Sequence, residues 1–177
     1  MRKLFEEINL ESPRAAVMVV ASEIDLLLVE ILELFFVPPS KVSLKYGKSI
    51  FATDQFGITF STRIEIAFRA GLIPEWCQSD THVIRRIRNE FAHKGSGYSF
   101  ASSPVRELLS LLTVPVKLKD NNPSTLSEEL LNNPKDVFIL GAICVYAELL
   151  CIRENLISGS YKAIRLSSRR LTFKNNK

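Results

Sequence analysis

Residues 14–36 repeat apolar side chains at a spacing that only a buried helix can use. Val17, Val20, Ile24, Leu27, Leu28, Ile31, Leu34 and Phe35 return every three or four residues. Ser12-Pro13 supplies an N-cap and a first-turn proline, and Pro38-Pro39 ends the helix. The run is long enough to raise the question of a membrane span. Glu23, Asp25, Glu30 and Glu33 interrupt it, and each carboxylate would cost about 3 kcal/mol near the bilayer centre. The segment therefore reads as a core helix of a folded domain. Asn133-Pro134 opens a second long helix, from Lys135 to about Ile157. Two such helices commit the chain to an all-α architecture.

The segments between them fit that class. Leu4, Phe5 and Ile8 predict a short first helix, and residues 40–57 a loop with a helical turn or two. Ser61 is placed to cap a helix through Ile64, Ile66, Ala67 and Phe68, with Gly71 as its stop. Pro74 opens a short turn carrying Trp76. Ser79 or Asp80 then caps a helix that Gly95 terminates. Ser103-Pro104 starts another, with Val105, Leu108, Leu109 and Leu112 inward, and residues 114–134 read as a surface connection with a turn near Leu126 to Leu131. No strand pattern outlasts four residues. The expectation is a single-domain all-α helical bundle of about five main helices over residues 1–158, followed by a basic tail at 159–177.

Charge and cysteine usage narrow the class of function. The tail carries Lys162, Arg165, Arg169, Arg170, Lys174 and Lys177 with no acid, so a net charge of +4 leaves the body near −2. Nucleic-acid binding through bulk charge would thus fall to the tail, where Arg165, Arg169 and Arg170 are the candidates. Tyr161 and Phe173 give that tail a nucleic-acid-arm composition, and a solvated end reads equally well. Residues 1–13 contain no continuous apolar run and predict no secretory signal. Cys77 stands alone, and Cys144 and Cys151 lie two turns apart on one face as small hydrophobes, which suits a reducing, cytoplasmic setting. No metal-ligand spacing, phosphate loop or Ser-His-Asp order occurs, so no cofactor is implied.

The chemistry concentrates in Arg88-Asn89-Glu90-Phe91-Ala92-His93. At about 100° per residue, Ile84, Ile87 and Phe91 form the apolar stripe of this helix. Asn89 and His93 are i,i+4 neighbours roughly opposite that stripe, with His82 near the same line and Arg85 and Arg86 on that face. Arg88 lies about 140° around the helix from His93. Guanidinium forks and an imidazole that moves a proton near neutrality suit a phosphate.

Arg-x4-His with Asn after the Arg resembles the signature of the HEPN superfamily, helical domains that include metal-independent endoribonucleases. A wider set is similar to the mannitol operon repressor family over roughly residues 10–112. It comprises Ser12-Pro13-Arg14-Ala15-Ala16, Glu23-Ile24-Asp25-Leu26-Leu27-Leu28, Phe60-Ser61-Thr62-Arg63-Ile64, and the stretch Ile84 to His93. The first resemblance implies an RNA-acting protein of toxin or defence type, with Arg88, Asn89 and His93 as its catalytic set. His93 would be the general acid or base, and Arg88 would stabilise the charged phosphate. Arg85 and Arg86 would add nucleic-acid contacts. Where many of those nucleases carry a tyrosine two residues past the histidine, this chain has Gly95, and the nearest tyrosine is Tyr98. The second resemblance implies a transcriptional regulator working through protein partners or DNA, without catalysis.

A purely structural reading stays open beside both. His93 suits the C-terminal end of a helix, and Arg88 could pair with a carboxylate of the helix at 14–36. Glu23 and Asp25 point to different faces and read as anchors for arginines. Phe60, Phe68 and Trp76 read as core or interface aromatics, and Arg63 and Arg69 as a solvated face. Because the motif faces outward, the chain is expected to form a symmetric homodimer whose second subunit completes a groove. The partners this allows are RNA or DNA and a protein antitoxin or regulator, with no membrane.

Overall fold

A computed structural model describes residues 8, 11–38, 50–51, 58–94, 97–113 and 132–162. Among them the chain is all-α: five helices and no strand. These are α1 (Pro13–Phe35), α2 (Phe60–Arg69), α3 (Glu75–His93), α4 (Ser103–Leu109) and α5 (Pro134–Ile157). None of the helices among the described residues is long and apolar enough to cross a membrane. The expected first helix, the loops at 40–57 and 114–134, Gly95, and the tail residues Arg165, Arg169 and Arg170 lie wholly or largely outside the described residues. Ile8, from that first segment, is helical and buried.

Caps set the helix ends. The Ser12 hydroxyl accepts from the Ala15 amide at 3.2 Å, and the Asn133 side chain accepts from the Lys135 amide at 3.0 Å. Gly71, at a φ of 71°, closes α2: its amide bonds to the Phe68 carbonyl and that of Leu72 to Ala67. This is a Schellman turn, which needs a residue at ease in the left-handed region. Two starts differ from expectation. Thr59 rather than Ser61 caps α2, its hydroxyl accepting from the Thr62 amide. Helix α3 begins at Glu75 behind Pro74, so Ser79 and Asp80 are interior residues. Asp80 faces inward, fully buried, and accepts from the Thr113 amide at 2.7 Å. A capping residue would have kept that carboxylate at the helix end; here it ties α3 to the end of the α4 segment.

The core gathers one stripe from each helix. Ile24, Leu28 and Ile31 of α1, Ile64 of α2, Ile84, Ile87 and Phe91 of α3, Val105 of α4 and Phe138 of α5 are fully buried. Burial of each such side chain contributes about 1.5–3 kcal/mol. Leu34 and Phe35 continue the periodicity of α1 but are exposed, because the bundle ends before the helix does. Helix α1 packs chiefly on α5, while α3 touches all four other helices. The helix carrying the motif is thus the hub. Phe91 is central, with Tyr98 and Phe100 rings each within 5.3 Å of its own. Gly141 of α5 lets Leu112 approach so closely that an added Cβ would sit 2.9 Å from its Cδ1, which seats the α4 segment against α5.

Arg63 overturns its expected role as part of a solvated face. Its side chain is 8% exposed and forks onto Asp25, Nε to Oδ1 at 2.7 Å and Nη2 to Oδ2 at 2.6 Å. Nη1 donates to the carbonyls of Phe51 and Ile58. The expectation that Asp25 anchors an arginine holds, with Arg63 as that arginine. Arg69 does lie on the surface, 3.6 Å from Glu65.

Candidate functional site

The outward face of α3 is flanked by α2 on its N-terminal half and α4 on its C-terminal half. His82 belongs to the first half. Its Nε2 lies 2.9 Å from Glu65 Oε1, which also accepts from Gln78 at 3.0 Å. The bond from His82 holds the Glu65 carboxyl below its ordinary range, against the smaller opposing effect of burial. His82 is therefore spent in joining α3 to α2 and leaves the predicted phosphate cluster.

The second half is different. Arg86 and His93 are exposed, and Arg88 and Asn89 half-buried; none of the four has a hydrogen-bond or ion-pair partner among the described residues. Arg85 is half-buried with its Nε enclosed and unpartnered. A buried donor left without an acceptor costs about 1–3 kcal/mol, a cost the fold tolerates eight residues before the end of its central helix. No ion pair links Arg88 to α1, whose Asp25 is taken by Arg63 and whose Glu30 meets Arg153 at 3.4 Å.

Helix α4 closes a groove against this half, about 570 Å³ in volume. Arg86, Asn89 and Glu90 form one wall, and Pro104, Glu107, Leu108, Ser110 and Leu111 the other. Of the residues expected in a site, the groove gathers Arg86 and Asn89. His93 follows Asn89 by one turn on the same face, while Arg88 leaves the helix about 140° from His93 and lines no part of the groove. The sequence marked the α4 helix by Ser103-Pro104 and its inward Val105, Leu108, Leu109 and Leu112, but not its placement beside α3, which depends on long-range contacts such as that of Leu112 with Gly141.

Tyr98 is no free acid or base. Its hydroxyl donates to Glu90 Oε2 at 3.1 Å, and burial with that bond pushes its pKa up. Cys77 is likewise no nucleophile: burial pushes its thiol up to about 12. All three cysteines are free; of the pair expected to pack as small hydrophobes, Cys144 is half-buried and Cys151 is exposed, so Cys151 departs from that expectation. No group of three or more His, Cys, Asp or Glu residues among those described could hold a metal ion. At the C-terminal end of α3, Arg14 of α1 donates to the Lys94 carbonyl and so caps the turn holding His93.

The fold and face together describe an all-α bundle with unpaired cations on its hub helix. Comparison with known protein families, with characterised proteins and with solved structures finds no match to this chain.

Proposed function

We propose that this chain is a HEPN-like RNA-acting protein, a metal-independent endoribonuclease of toxin or defence type. The observation that supports the reading is the contrast in pairing. Arg63, Arg69 and Arg153 all meet carboxylates, whereas Arg86, Arg88 and His93, all on the C-terminal half of α3, meet none among the described residues. Idle guanidinium forks beside an exposed imidazole suit a phosphodiester. In the proposed reaction the RNA 2′-oxygen attacks the adjacent phosphorus and loses its proton, while the 5′-oxygen of the next nucleotide leaves and gains one. The products are a 2′,3′-cyclic phosphate and a free 5′-hydroxyl. His93 carries one of those protons, and Arg88 neutralises the phosphorane.

Arg88 and His93 diverge on one helix, so the reading requires a second copy whose α3 face brings them onto one phosphate. It therefore includes a symmetric dimer. A cytoplasmic setting, in keeping with three free cysteines, belongs to the same reading. The test is incubation of wild type, Arg88→Ala and His93→Ala with labelled RNA in EDTA, scored for cyclic-phosphate ends, alongside light scattering. Cleavage by wild type alone, from a dimer, is expected. A monomer at micromolar concentration would sink the composite site.

One observation favours the second reading, a mannitol-repressor-like regulator without catalysis. The divergence of Arg88 and His93 keeps the pair off any one phosphate within a single chain, so a regulator that works through other surfaces requires neither. On that reading both substitutions leave regulation intact, and removal of residues 159–177 or blocking of the partner abolishes it.

A further inference from the structure

The groove between α3 and α4 contains more than cations, and its polar groups divide in a telling way. Both carboxylates are engaged: Glu90 accepts from Tyr98 at 3.1 Å, and Glu107 Oε1 accepts from Ser103 at 3.0 Å. The Ser110 hydroxyl is bound to the Glu107 carbonyl at 2.7 Å. That leaves the Arg86 guanidinium and the Asn89 amide as the lining side chains whose polar atoms have no partner. Opposite them Pro104, the buried Leu108 and the exposed Leu111 present an apolar bed.

A cleft of about 570 Å³ with an apolar floor and few convergent polar groups has the size and character of a small-ligand site. An amide offers a donor and an acceptor side by side. The adenine edge that presents N7 and the N6 amino group matches both. Glu107, with an oxygen to spare, adds an acceptor on the side of an amino group and opposes a carbonyl there. In RNA such edges are open to a protein where the base is single-stranded and unstacked, because side chains cannot read the narrow major groove of an A-form helix. Arg86 stands one turn from Asn89 and reaches a phosphate beside a base bound there. His93 stands one turn beyond Asn89 in the other direction.

We infer that the α3–α4 groove is a base subsite that takes an adenine of single-stranded RNA, Asn89 reading its edge and Arg86 holding the adjoining phosphate. The inference rests on the RNA-acting reading and deepens it. It makes Asn89 a specificity residue, whereas the resemblance alone would put it in the catalytic set.

The experiment measures binding of labelled oligoadenylate and oligouridylate by fluorescence anisotropy, in EDTA, with 2′-O-methyl substitution to block cleavage while keeping an RNA-like backbone. Wild type is expected to prefer oligoadenylate about tenfold, within the range one bidentate amide–base contact gives. Asn89→Ala and Leu111→Ser, both changes at surface-accessible groove positions, should erase the preference and leave the weaker oligouridylate affinity nearly intact. Arg88→Ala, outside the groove, should keep the preference while losing cleavage of unmodified RNA. Equal binding of both oligomers by wild type overturns the subsite and leaves the RNA reading standing. Preference that survives both groove substitutions overturns it as well. Binding of neither oligomer overturns subsite and RNA reading together.

Discussion

Arg63 and Arg88 sit on amphipathic helices of similar character, α2 and α3, yet they have opposite fates. Arg63 uses Nε and both terminal nitrogens on Asp25 and two backbone carbonyls, and is nearly buried. Arg88 is half-buried and Arg86 and His93 are exposed, and none of the three has a partner among the described residues. The difference separates cations that hold the fold from cations available to something else. A guanidinium pinned by four hydrogen bonds cannot reorganise around a phosphate without unmaking the α1–α2 junction. One with none gains a partner at no cost to the bundle.

The sharpest way to break this comparison is to remove one side of each. Asp25→Ala leaves the Arg63 guanidinium enclosed and uncompensated, so it should destabilise by about 3–5 kcal/mol in urea titrations. The pair is not fully buried, which places the expectation at the lower end of that range. Arg88→Ala and His93→Ala should instead stay within about 0.5 kcal/mol of wild type, as surface substitutions usually do. A loss for Arg88→Ala as large as that for Asp25→Ala would make Arg88 a structural residue and remove it from the proposed site.

Between those extremes lies Tyr98, at the edge of the groove. Tyr98→Phe keeps the ring against Phe91 and deletes the bond to Glu90, so a loss of about 0.5–1.5 kcal/mol is expected. The change also frees Glu90 to turn into the groove. If that weakens oligoadenylate binding without moving the melting temperature, Tyr98 restrains Glu90 for the ligand's sake more than for the fold's.

What could be read in the sequence follows the range of the interactions concerned. Ser12-Pro13 and Asn133-Pro134 were legible because their caps bond within three residues. The outward face of α3 was legible from the 100° repeat, with Phe91 buried and His93 exposed as that repeat requires. Asp80 was misread as a cap because its partner, the Thr113 amide, lies 33 residues away. Arg63 was misread for the same reason, its carboxylate being 38 residues distant. The groove needed the placement of α4, which no local pattern encodes. His82 looked like a member of the phosphate cluster until α2 delivered Glu65 to it.

That last contact gives the smallest expected effect and the one most specific to pH. The Glu65 carboxyl is held below its ordinary value near 4.5, first by the bond from His82. A carboxyl lowered on folding adds stability that is present above its unfolded pKa and is lost as pH falls through its folded pKa. The stability difference between wild type and Glu65→Gln should therefore be positive at pH 6 to 7, and should narrow only below about pH 4.5. Glu65 is more than one-third exposed, so solvent screening keeps the difference small. Urea midpoints for both proteins at a series of pH values would measure it. A difference that persists unchanged to pH 3 would mean that the α2–α3 contact does not depend on the charge of Glu65. The 2.9 Å contact of His82 with Glu65 would then join the two helices without drawing on that charge.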